Sequence, residues 1–335
     1  MRELVIVIPD LYLPESADAA AQAVALPGLE PIVRFGHREA LPQGWRSWLA
    51  GWLGRADLAA LAPARVAAAA HPQLAQAQGT LWLAVPVHLS AGMSRVHLDH
   101  RGLLYLHPEE QRQLAQDFAR DFAGSGFVLV PASPRELLLL TPGVEAVATC
   151  EPARLAGQAV NEALPRGPAA AGLRRTWAET EMWLHAHPLN QARAVPLTAL
   201  WPWGALGAGA GRPAVAAVAP VRAFALDAYV RGLWQMCGLS CQSLPPEGGA
   251  LTEAATGATV LVAEVGLFMQ PSARSGFPEA LAQLDVRYLQ PALAALRAGH
   301  LEALRLIAND RSFRLGRRSR WQFWRRGRPG MEGLR

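Results

Sequence analysis

His185, His187, Asn190 and Arg193 fall within one short stretch, Trp183-Leu184-His185-Ala186-His187-Pro188-Leu189-Asn190-Gln191-Ala192-Arg193. Together they suit a small anion. A guanidinium offers a planar fork to a carboxylate or phosphate, and an amide adds a directed hydrogen bond. The structural alternative is that both imidazoles sit at a helix end, where an imidazolium complements the C-terminal dipole. Gly204 opens a glycine-rich turn running to Gly211, without the G-x-G-x-x-G spacing of a dinucleotide loop. A second run of ligand-type residues is His97-Leu98-Asp99-His100. His97 and Asp99 would share one face of a strand, but no second cluster at zinc spacing accompanies them. They read as a solvated hairpin end. Neither a G-x-S-x-G elbow nor a Walker loop occurs.

The elements that must position these residues follow from periodicity. Leu173, Trp177, Met182 and Trp183 recur at helical spacing, and Pro188 stops that helix. Residues 200–203 read as a short buried strand. Residues 3–8 form a near-continuous apolar run, as expected of a central strand covered on both faces. Residues 214–218, 258–263 and 301–308 are further strands, with helices predicted at 17–25, 221–236 and 275–297. This alternation predicts an α/β fold with a mainly parallel, doubly wound sheet containing residues 3–8, 200–203, 258–263 and 301–308. In such a sheet ligands gather at the carboxyl ends of the strands. A small anionic ligand is therefore expected between Asn190, Arg193 and Gly204, near Asp10. Residues 80–165 have a different texture, with strands predicted at 81–89, 95–98, 127–130, 136–140 and 145–149 and helices at 108–122 and 152–164. They are expected to form an inserted α+β lobe, with 1–79 and 166–335 as a discontinuous core domain.

At 335 residues, 51% hydrophobic and 18% charged, the chain can bury a large core. No apolar run is long enough to span a bilayer. The first residues read as a strand rather than a signal peptide, so a cytoplasmic setting without membrane is expected. Cys150, Cys237 and Cys241 form no disulfide framework. The net charge of +5 is concentrated at the end, in the arginines from Arg311 through Arg317 to Arg328. There arginine interleaves with Trp321, Phe323 and Trp324. A guarded edge strand is the expectation, and nucleic-acid association through Arg317–Arg328 is the alternative.

Trp183, His185, His187, Pro188, Asn190, Arg193, Leu200, Trp201, Trp203 and Gly204 carry a resemblance. The segment resembles the HP-[LV]-N-x-x-R … LWxWG region of RpfE-type bacterial regulatory proteins. These are similar in turn to archaeal-type cofactor-independent phosphoglycerate mutases of the alkaline phosphatase-like superfamily. The chain departs from that group before the strand, where Leu197-Thr198-Ala199 replaces the usual Asn.

The resemblance implies a pair of divalent cations, held by Asp and His after the sheet strands, to stabilise charge in phosphoryl transfer. Asp10 stands where the first ligand would, but Pro9-Asp10-Leu11-Tyr12-Leu13-Pro14 is no glycine-rich metal loop. Glu264-Val265-Gly266 stands where an Asp-Glu-x-x-His cluster would, and Asn309-Asp310-Arg311 where Asp-His would. The expectation is a degenerate, non-catalytic phosphoglycerate mutase-like regulatory protein that binds a small anionic or phosphorylated metabolite. No cofactor is expected, and the surviving oxygen donors Asp10, Glu264 and Asp310 could hold at most a single divalent cation. The alternative is a metal-dependent phosphomutase or phosphatase with an unusual ligand set.

Overall fold

The computed structural model describes residues 2–11, 24–74, 77–92, 95–191, 193–207, 221–253, 256–269 and 276–316. The chain divides into two compact units, one made of residues 1–59, 210–226 and 238–335, the other of 60–209 and 227–237. Elements are numbered along the whole chain.

The first unit is built on a sheet of β1 (Arg2–Ile8), β2 (His37–Ala40), β9 (Val221–Ala225), β10 (Cys241–Gln242), β11 (Gly257–Val262), β12 (Ala303–Ala308) and β13 (Arg311–Gly316). Their order is β10-β9-β11-β1-β12-β13-β2. The five strands from β10 to β12 are parallel, and β13 and β2 add antiparallel pairings at one side. The apolar run of β1 lies at the centre, with Leu4 opposite Thr259 on one neighbour and Leu304 on the other. Leu4, Ile6 and Ile8 are fully buried against Leu281, Leu284, Tyr288, Leu289 and Leu296. Burying each such side chain contributes about 1.5–3 kcal/mol. α1 (Leu29–Phe35), α2 (Gly44–Trp52), α7 (Phe277–Leu284) and α8 (Gln290–Ala298) also belong to this unit. The last two are joined by the π-turn Asp285–Leu289. That wider turn lets helical winding continue past Pro291, which has no N–H to give. The Asp285 carboxylate, 1% exposed, accepts from Gly28 N at 3.1 Å, Leu29 N at 2.6 Å and Gln290 Nε2 at 2.8 Å. It thereby supplies the N-terminal cap that α1 lacks from its own sequence.

The second unit holds an antiparallel sheet of β3 (Thr80–Ala91), β4 (Val96–Leu103), β5 (Val128–Ser133), β6 (Glu136–Thr141), β7 (Gln158–Ala159) and β8 (Ala199–Trp203). The long strand β3 pairs β6 through residues 80–84, β8 through 83–87 and β4 through 87–91. α3 (Pro63–Ala68), α4 (Pro108–Asp121), α5 (Ala171–Ala186) and α6 (Ala228–Met236) complete the unit. α3 and α6 touch closely: a Cβ on Gly232 would lie 1.9 Å from Val66 O.

Several expectations are corrected. Residues 200–203 do not join the parallel sheet but run antiparallel to β3, with Trp201 opposite Val85. This strand is buried along its whole length, so its sequence shows no polar face from which to read its partner. This strand thus belongs to the second unit. Residues 145–149 form no strand, and 152–164 form only the 3₁₀ turn Pro152–Leu155 and β7. Residues 221–225 are strand rather than helix; the helix starts only after Asp227, whose carboxylate accepts from Val230 N at 2.9 Å. The guarded edge strand expected around Trp321 and Phe323 lies outside the described residues. The edge β2 exposes all four residues, His-Arg-Glu-Ala, and its charges guard against further pairing. The helix expected at 17–25 falls almost wholly outside the described residues, and the strand expected at 214–218 and the arginines Arg317–Arg328 lie wholly outside them. Among the described residues no helix is long and apolar enough to cross a membrane.

Candidate functional site

The carboxyl edge of the parallel sheet gathers the ends of β1, β11 and β12, and with them Asp10, Glu264, Asn309 and Asp310. Asp10 is 8% exposed. Its carboxylate accepts from Val265 N at 2.8 Å through one oxygen and from Gly266 N at 3.0 Å through the other. It therefore ties the end of β1 to the 3₁₀ turn Val265–Phe268 that follows β11. Glu264, the residue before that turn, is buried. Asn309 opens the tight turn between β12 and β13 with φ of 55°, a left-handed conformation that Asn tolerates better than most residues. Its Nδ2 donates to Leu11 O at 2.6 Å. Its Oδ1 is buried and has no hydrogen-bond partner among the described residues. Asp310 holds the strap leading from β2 through its backbone, accepting from Leu41 N at 2.6 Å.

Arg311 follows this turn at the start of β13, opposite Ala40, and Arg38 stands on the paired strand β2 opposite Phe313. Burial lowers the Arg311 guanidinium from its usual value, the neighbouring Arg38 charge lowers it further, and Asp310 opposes both. The edge thus carries at Asn309 a neutral acceptor without a donor among the described residues, and at Arg311 and Arg38 two cations close enough to repel. Such an arrangement fits a ligand bearing both a hydroxyl and an anionic group.

The donor set does not fit the two-cation centre implied by the resemblance. Both Asp10 oxygens already serve backbone N–H groups, and Arg311 stands where an imidazole would be needed. Among the described residues no three His, Cys, Asp or Glu side chains are grouped to hold a metal ion.

The other sequence candidates lie in the second unit, where most of them are tied to its framework. α5 ends at Ala186, and His187 follows as its C-cap. The Asn190 amide closes the loop that follows. Its Nδ2 donates to Leu184 O at 2.7 Å and Leu197 O at 2.9 Å, and its Oδ1 accepts from Leu197 N at 2.7 Å. Arg193 forms an ion pair with Glu110 on α4. His187 Nε2 lies 3.2 Å from Asp117 Oδ2, also on α4. His185 is exposed. Gly204 takes φ of 73° after β8, and its carbonyl accepts from Ala64 N at 3.0 Å. His97 and Asp99 are exposed near the β3–β4 hairpin, as a solvated end would be.

The sequence singles out neither Asp117 nor Asp285, shows Glu110 only as an acid at a helix start, and shows Asn309 only within the run standing where Asp-His would. Glu110 carried a local signal, since a glutamate at the third helical position after a Pro start can cap, and it accepts from His107 N at 2.7 Å. The tertiary partners of the other three carry no sequence signature.

A mixed α/β chain with a mostly parallel sheet is thus in hand. No protein-family profile matches the sequence, and no curated protein matches it. Among solved structures, the chain is similar to a cofactor-independent phosphoglycerate mutase from Thermoplasma acidophilum, at 11% identity and a TM-score of 0.38, over 94% of this chain and 89% of the other. It is also similar to the PH0037 protein from Pyrococcus horikoshii, at 12% identity and a TM-score of 0.46, over 94% and 87%. Likeness at this level assigns no activity.

Proposed function

We propose that the chain is a phosphoglycerate mutase-like protein of alkaline phosphatase-like architecture that binds a ligand without turning it over, as a cytoplasmic regulatory protein of the RpfE type. The observation that carries this reading is the use of Asp10. The carboxylate standing where a first metal ligand would be is a structural cap on Val265 N and Gly266 N. The ligand is a small phosphorylated hydroxy metabolite. Its hydroxyl would donate to Asn309 Oδ1 and its phosphate would face Arg38 and Arg311. This moves the proposed site away from Asn190 and Arg193, whose polar groups hold their own loop.

The test is a thermal-shift screen of phosphorylated hydroxy acids and sugars, with Mn²⁺ and with chelator, together with a mutase and phosphatase assay. A ligand selective for the native state raises stability. The expected result is a melting shift that survives the chelator and is lost in Asn309→Leu, without turnover. Turnover near ordinary enzyme rates, on the order of 10 per second, abolished by Asp10→Ala, would instead establish the metal-dependent phosphomutase or phosphatase.

A further inference from the structure

The β2 side of the first unit's sheet gathers guanidinium groups that are poorly neutralised. Arg34, exposed one residue before the end of α1, sets its guanidinium 5.3 Å from the centroid of Phe35. Gly36 brings that helix end onto β13: a Cβ there would lie 3.4 Å from Arg314 N. His37 is exposed on β2, opposite Arg314. Among the described residues Arg34 and His37 form no ion pair. Arg314 approaches Glu3 only through Nε, at 3.7 Å, beyond hydrogen-bond range, and its side chain is 44% exposed. Glu3 and Glu39 also serve Arg305, at 3.8 and 3.5 Å. β13 ends at Gly316, two residues past Arg314, where exposed Glu302 also stands. The sequence continues as Arg317-Arg318-Ser319-Arg320-Trp321-Gln322-Phe323-Trp324-Arg325-Arg326-Gly327-Arg328, with no acid before Glu332. Arg38 and Arg311 face the ligand site proposed above and are set aside.

We propose that this corner, with the segment that continues from it, binds single-stranded nucleic acid. The chemistry it fits is a phosphodiester chain bearing flat bases. Guanidinium forks take phosphate oxygens two at a time. Aromatic rings take bases by stacking, which tolerates any sequence because every base has a π-face. Arginine interleaved with Trp321, Phe323 and Trp324 matches the alternation of phosphate and base along one strand. A duplex hides its base faces, so the rings would gain nothing from it. An anionic membrane also attracts arginine, but a membrane-binding face sets large apolar side chains beside its cations. The exposed large hydrophobic residues, such as Met182 and Val286, include none on α1, β2 or β13. The corner is also separate from the ligand site, since Asn309 and Arg311 stand at the other end of β13 from Gly316.

The experiment measures fluorescence anisotropy of labelled oligonucleotides of about 20 nucleotides with the full-length protein, between about 50 and 200 mM salt. The probes are single-stranded DNA, single-stranded RNA of the same sequence and the DNA duplex; vesicles of phosphatidylglycerol and phosphatidylcholine are the fourth arm. The expected result is that DNA, RNA or both bind as single strands, about tenfold or more tighter than the duplex. Log affinity should fall against log salt with a slope of about −3 or steeper, as about four phosphate contacts give. Arg34→Gln with Arg314→Gln should flatten that slope by about 1, and Arg317→Gln, Arg318→Gln and Arg320→Gln together by about 2. Trp321→Ala, Phe323→Ala and Trp324→Ala together should erase the preference for single strands. The proposal is overturned by a slope flatter than about −1, by a duplex bound as tightly as the single strands, or by binding to the vesicles alone. It is also overturned if Arg34→Gln with Arg314→Gln leaves the slope unmoved. Should the ring variant melt early, the wild-type comparison of strand with duplex decides. Asn309→Leu, aimed at the ligand site, should leave oligonucleotide binding unchanged, so the two readings stand or fall separately.

Discussion

Arg193 donates to the carboxylate of Glu110 across 83 residues of sequence. The same carboxylate accepts from His107 N at the start of α4. One glutamate thus caps a helix and anchors the loop that precedes β8. Asp117 stands seven residues further along α4, on the same face, and meets His187. The HP-x-N-x-x-R stretch is therefore fastened to a single helix at two points.

Arg193→Ala removes the partner of a carboxylate that is 23% exposed. We expect a loss on the order of 1–3 kcal/mol, below the 3–5 typical of a fully buried pair because solvent reaches this one. Thermal and urea melts of Arg193→Ala and Glu110→Gln, combined with the double variant, give the coupling. A stability unchanged in Arg193→Ala would restore the idea that this guanidinium waits for a ligand.

Asp10→Asn replaces one acceptor oxygen with an N–H₂ that opposes the amide of Val265 or Gly266. We expect a cost on the order of 1–3 kcal/mol, read as a lower urea midpoint at constant slope. Chelator and Mn²⁺ should leave the wild-type melting temperature unchanged. A stabilisation by Mn²⁺ that disappears in Asp10→Asn would return this carboxylate to metal binding.

Glu181 gives a pH dependence with a definite sign. Burial raises its carboxyl above the usual value, and the bond from Trp177 Nε1, at 2.9 Å, opposes that. A raised folded value means that the folded state holds the proton more tightly than the unfolded chain. Its favourable contribution is full below the unfolded value and is lost as pH rises through the folded one. Glu181→Gln, which still offers Trp177 an acceptor oxygen, should melt higher than wild type at pH 7. The difference should shrink as pH falls through the acid range. Parallel melting curves at all pH values would contradict this.

Gly232→Ala tests the contact of α3 with α6. The added methyl would overlap Val66 O and approach Val66 C at 2.7 Å, and both atoms are backbone. The helices must separate, at a cost of about 1–3 kcal/mol or more. The measurement is chemical unfolding of the variant. Gly249→Ala, with nothing within 4 Å of its added carbon among the described residues, serves as the control.

The sequence by itself determined the centre of the parallel sheet. The run Leu4-Val5-Ile6-Val7-Ile8 has no polar face, and only a strand covered on both sides accommodates that. It also determined the helix Ala171–Ala186 and its end before Pro188, because the ring of proline cannot continue the helix. The tertiary structure decided the sheet to which Ala199–Trp203 belongs. A strand buried on both faces reads alike in a parallel or an antiparallel sheet, and only the backbone hydrogen bonds to Leu83–Val87 distinguish them. It decided the role of Asp10 as well. A carboxylate after a strand serves a metal or a cap equally well by sequence, and the amides that claim it lie 255 and 256 residues away. It decided finally that Arg193 answers to Glu110 and that Asn309 Oδ1 meets no donor among the described residues, since charge pairing and hydrogen bonding depend on distances in space that spacing along the chain does not encode.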